Sequence, residues 1–160
     1  MERLKPYKQT LSHGCLAACF LMLLHSKNSS IEEKKILFKA MDRKYQFYVS
    51  GVPIEISRAY GKKITVFVDN KYFTNVLKKE FKGTKLKPVH NKISLPFIKE
   101  LLADGPVICH IDDHYLGDYS HASHFIVIEK ALDTMEKLGT VKQRGNTETK
   151  RIERLYSLNK

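Results

Sequence analysis

Residues 9–24, Gln-Thr-Leu-Ser-His-Gly-Cys-Leu-Ala-Ala-Cys-Phe-Leu-Met-Leu-Leu, set a polar, glycine-marked turn directly against an unbroken apolar helix pattern. A helix that is apolar on all sides belongs in a core, so the rest of the chain has to pack around it. The residue at the junction is Cys15. It falls in the first turn of the predicted helix, where unpaired backbone N–H groups and the positive end of the helix dipole favour negative charge. A thiol there is expected to lose its proton more easily, and the thiolate is the attacking form. Gln9 stands six residues earlier, within reach of the same turn. Its side-chain amide is a candidate donor to a developing oxyanion. The competing reading is that a free cysteine is a small hydrophobe. Cys19, inside the apolar helix, and Cys109, inside an apolar run, fit that reading better than Cys15 does.

The chain has 160 residues, enough for a single domain spanning 1–160 with a real core. Its longest apolar run, 15–24, is too short to cross a bilayer. The polar residues before that run do not resemble a signal peptide, so a cytoplasmic protein is expected. Three cysteines without a CxxC pair suggest neither a disulfide framework nor a zinc ribbon. Reduced thiols fit the same compartment. The formal net charge of +11 raises the question of nucleic acid. The lysines, however, are spread along the chain, with no recognition-helix pattern and no interleaving of aromatic and basic residues. A solvated lysine-rich surface is expected, with no nucleic-acid partner.

The central helix is predicted over 15–25. A second follows over 31–41, with Ser30 and Glu33 as a capping box and Ile31, Ile36, Leu37 and Met41 as a partial apolar face. Ser50-Gly51 reads as a break, and 52–60 as a short helix closed by Gly61. The β-branched run 64–68 reads as a strand. Further helices are expected over 71–81 and over 96–104, the latter capped by Ser94 and stopped by Gly105-Pro106. Residues 106–111 and 124–129 read as strands around a polar loop, and 152–158 as a last strand after a charged loop at 142–151. Residues 1–8 are a polar lead-in that could form a short edge strand. Helices early and strands late favour α+β over a doubly wound sheet.

Four of the seven histidines lie between positions 110 and 124. A general base must be held in place as well as basic. His124 opens an apolar strand and meets that need, whereas His114 and His121 lie in the loop before it. Alternation puts His124, Ile126 and Ile128 on one face, expected to be the face toward the central helix.

Gln9 with Cys15 six residues on, Cys15-Leu-Ala-Ala-Cys19 entering a helix, the strand at 105–111 and the late His124-Phe-Ile-Val-Ile together resemble the bacteriocin-processing cysteine peptidases, papain-like enzymes with many stand-alone relatives. The resemblance runs from about residue 9 to residue 130. It implies a papain-like fold, an N-terminal helical part packed on a C-terminal antiparallel sheet. It also implies a thiol-dependent peptidase, or a related acyl-transfer enzyme, acting on a peptide or protein substrate without metal or cofactor. Carried over by position, Cys15 is the nucleophile, His124 the base and Gln9 the oxyanion donor, with the cysteine's own N–H completing the oxyanion hole. The family's Asp-Pro on the strand after the histidine has no counterpart here. Asn159, Asp133 or no third residue at all remain as alternatives for orienting the histidine.

Two other functions compete. One is a peptide-binding module of the same fold that lacks turnover. The other is a metal site drawn from His110, His114, His121 and His124 with Asp112, Asp113 and Asp118, a spacing that matches no established ligand signature.

Overall fold

The structure, a computed structural model, describes residues 4–24, 29–42, 48–112, 123–129 and 154–159. In chain order the elements are α1 (Cys15–Leu23), α2 (Ser30–Asp42), α3 (Tyr48–Tyr60), β1 (Lys63–Val68), α4 (Lys71–Glu80), β2 (Leu86–His90), α5 (Leu95–Asp104), β3 (Val107–Asp112), β4 (Ser123–Ile128) and β5 (Arg154–Asn159). The protein is α+β, as expected.

The helix starts follow local chemistry. The Asn70 side chain accepts the N–H groups of Tyr72 and Phe73, and Ser94 Oγ accepts that of Phe97. Each acceptor satisfies an N–H that the helix itself leaves without a partner. At α2 the cap lies one residue earlier than expected. Ser29 Oγ takes the Glu32 N–H at 3.2 Å, so Glu33 is not the distal member of the box. The apolar face of α2 also differs. Ile36, Leu37 and Ala40 are buried, while Ile31 and Met41 are 74% and 71% exposed. The lead-in forms no strand among its described residues, 4–8.

Helix α3 runs through the expected break at Ser50-Gly51 and carries Pro53 inside it. Proline has no N–H to offer the carbonyl four residues back, which here is that of Val49. The Tyr156 hydroxyl donates a long 3.4 Å bond to that carbonyl. A partner from β5 thus compensates a defect that the local sequence cannot repair.

The five strands form one sheet in the order β2-β1-β5-β3-β4. It is mixed rather than antiparallel: β1 and β2 are parallel, with α4 as their crossover, and the other three pairings are antiparallel. Strand β2, Leu-Lys-Pro-Val-His, was not anticipated. It shows no clean alternation and contains Pro88, which an edge strand can hold. Strand β5 comes last in the chain yet lies between β1 and β3.

Alternation along the strands splits the core. On one face Ile64, Val66, Ile108, Phe125 and Tyr156 pack with residues of α1–α4, including Leu16 and Phe20. On the other, Val107, Cys109, Ile111, Ile126, Ile128 and Leu155 pack with Ile98 and Leu102 of α5. Edge-to-face ring pairs lock both layers, Phe20 with Tyr156 at 5.9 Å and Phe67 with Phe97 at 5.0 Å. Among the described residues, no helix is long and apolar enough to cross a membrane.

Candidate functional site

Cys15 is the first residue of α1 and is half-buried, whereas Leu16 to Leu21 behind it are buried throughout. The first turn of α1 holds no carboxylate, and its N-cap, Gly14, makes no side-chain cap bond. The acidic group that reaches this helix start from elsewhere in the chain is Glu33, whose carboxylate lies against Gly14. The other two thiols are in a different state. Cys19 is 2% exposed and Cys109 is fully buried. Burial pushes the Cys19 thiol well above the ordinary range and that of Cys109 up to about 12. As read from the sequence, these two are core residues.

The turn before Cys15 is built by side chains as well as backbone. The Gly14 N–H donates to Leu11 O at 3.0 Å, and Ala18 N–H returns to Gly14 O at 2.8 Å to begin the helix. Gln9 Nε2 lies in this turn and donates to Leu11 O at 3.0 Å and to Ser12 O at 3.4 Å. The Gln9 amide nitrogen thus donates to carbonyls of its own turn, the Ser12 bond being the weaker.

The carboxylate of Glu33, 0% exposed, lies beneath the same turn. It accepts the N–H of Thr10 at 2.9 Å, the Thr10 hydroxyl at 2.9 Å, the Leu11 N–H at 3.2 Å and the Tyr7 hydroxyl at 2.8 Å. Burial, reinforced by the bond to Glu33, pushes the Tyr7 phenol up to about 12, so it remains a donor. Sequence reasoning missed this group. The capping-box pattern accounted for Glu33 locally, and no signal linked it to a turn some twenty residues earlier.

His124 is the second residue of β4 and is half-buried. Helix α1 packs on β4: Cys19 Sγ, one turn after Cys15, donates to the Phe125 carbonyl at 3.4 Å. The expected face is corrected. Phe125 and Val127 pack on the α1 side, while Ile126 and Ile128 pack on the α5 side. His124 stands opposite Ile111, which also belongs to the α5 side. Directly paired residues share a face, so His124 belongs to that side too. Strand β4 is the last strand in the described order, so His124 stands near one edge of the sheet, on the face away from α1.

His110, rather than His124, lies on the α1 side. It is 4% exposed and stacks on Phe125 with ring centroids 4.4 Å apart. Burial, with the charge of Arg154 on the neighbouring strand, lowers its pKa to about 4. It is a neutral core imidazole near neutral pH.

The register removes Asn159 as a partner of His124. On β3, Ser157 stands opposite Val107 and His124 opposite Ile111. Asn159 is therefore about six residues along the sheet from His124, roughly 20 Å at the strand rise. Asp133, His114, His121, Asp113 and Asp118 lie outside the described residues. Among the described residues no three His, Cys, Asp or Glu side chains are grouped to hold a metal ion.

No protein-family model, no curated protein and no solved structure matches the chain.

Proposed function

We propose that this protein is a thiol-dependent peptidase, or a related acyl-transfer enzyme, with a papain-like arrangement of Cys15 and His124, and that it is a stand-alone relative of the bacteriocin-processing cysteine peptidases. The observation that carries the reading is the placement of Cys15, half-buried at the first residue of α1, a helix that the Cys19–Phe125 contact docks against β4, the strand that bears His124 on its other face. The exposure difference among the three thiols supports it, since Cys15 alone of them is not buried.

The Cys15 thiolate attacks the carbonyl carbon of a peptide bond, and the carbonyl electron pair moves onto oxygen. Collapse of the tetrahedral intermediate breaks the C–N bond, and His124 gives its proton to the leaving amine. His124 then takes a proton from water, or from another nucleophile, which resolves the thioester. For Gln9 to stabilise the oxyanion, the substrate oxygen must replace Ser12 O as acceptor of the longer Nε2 bond. That Gln9 already serves its own turn favours the second reading, a peptide-binding module without turnover.

The test is mass-spectrometric mapping of iodoacetamide labelling across pH, with Cys15→Ser as control. The peptidase reading expects Cys15 to label fast, with an inflection well below the ~8.5 of a free cysteine, while Cys19 and Cys109 stay unlabelled. An inflection at that ordinary value sinks it.

A further inference from the structure

We propose that Glu33 is the positioning residue of the Cys15 site. Its buried carboxylate fixes the turn that aims both Gln9 and Cys15. The inference rests on the reading of Cys15 as a nucleophile.

A buried carboxylate is costly unless donors surround it. Glu33 meets that cost with four donors, three of them on Thr10 and Leu11. The first turn of α2, where Glu33 sits, also favours its charge. The carboxylate is therefore held from one side by a helix and from the other by two successive backbone amides. Those amides lie between Gln9 and the Leu11 carbonyl, the very group that receives both the Gln9 side chain and the Gly14 N–H. The chain of contacts runs from Glu33 to Leu11, from Leu11 to Gly14, and from Gly14 into Cys15.

Gly14 closes the fit. Its φ is −82°, open to any residue, so glycine is not there for its backbone freedom. A Cβ at this position would collide with Glu33 Oε1. The turn and the carboxylate are thus packed with no room for a methyl group. A residue that only anchored the lead-in would need Thr10 and Tyr7. It would not need to touch the N-cap of the helix that carries the thiol.

Two variants approach this contact from opposite sides. Glu33→Gln replaces one acceptor oxygen with a donor that faces other donors. Gly14→Ala keeps the carboxylate and displaces it. The readouts on the full chain are the pH profile of Cys15 alkylation and amide hydrogen exchange at residues 10, 11 and 14, with protection of Cys19 and Cys109 as the check on the fold. In each variant the alkylation rate at neutral pH should fall at least tenfold and exchange at the three amides should accelerate at least tenfold. In Gly14→Ala, which keeps the charge of Glu33, the inflection should also move up. If Glu33→Gln exposes Cys19 and Cys109, Gly14→Ala decides alone. Wild-type alkylation and exchange in a folded variant overturn the inference. An ordinary thiol profile in the wild-type protein overturns the nucleophile reading instead, and the exchange data then still show whether Glu33 holds the turn.

Discussion

Cys19 Sγ donates to the carbonyl of Phe125, 106 residues away, at 3.4 Å. The contact joins the first helix to the terminal strand of the sheet. It lays α1, which carries Cys15 one helical turn before Cys19, on β4, which carries His124 one residue before Phe125 and on the other face of the strand.

The identity of the base is the first prediction. His124 has its backbone fixed by pairing with Ile111, and a fixed backbone holds a ring at one distance from the thiol. In His124→Ala the Cys15 alkylation profile should move up toward the ~8.5 of a free thiol. In His121→Ala it should barely move. The opposite pattern would make His121 the base.

Gln9 is the second. As an oxyanion donor its removal in Gln9→Ala should lower turnover roughly a hundredfold while Cys15 alkylation stays nearly unchanged. Its bonds to Leu11 and Ser12 define the contrary result: equal loss of alkylation and turnover would show that it serves only to order the turn.

The third concerns pH and stability. His110 has its folded pKa lowered to about 4 by burial and by Arg154, below the ordinary 6.5. The unfolded chain therefore binds the proton first, and stability falls as pH drops from about 6.5 toward 4. Above 6.5 no penalty arises. Between pH 7.5 and 5 this one residue should cost on the order of 2 kcal/mol. His110→Phe preserves the stack on Phe125 and should lose that much less than wild type over the same interval in urea denaturation. Parallel losses in the two proteins would show that His110 is not buried as described.

The sequence by itself determined the elements that carry strong local signals. The glycine turn and apolar run place Cys15 at the start of α1, since backbone geometry and uniform hydrophobicity act over a few residues. The Ser94 cap and the strands at β1, β3 and β4 were legible for the same reason. The roles of Cys19 and Cys109 also followed from their apolar neighbours.

Only the tertiary structure decided what depends on partners far along the chain. Local rules set a break at Ser50-Gly51, yet α3 runs through it and through Pro53, with the Tyr156 hydroxyl donating to the Val49 carbonyl that Pro53 leaves without its helical donor. Strand β2 forms because β1 offers it a parallel neighbour, although its own residues alternate poorly. The face of His124 was misread because period-two alternation tells which residues share a side, not which side meets α1. That assignment belongs to Phe125, His110 and Ile111 across the ladder. Glu33 shows the same limit at the site itself. A carboxylate reads locally as a helix-capping group, and only folding brings it beneath Thr10, Leu11 and Gly14, where burial gives its hydrogen bonds their strength.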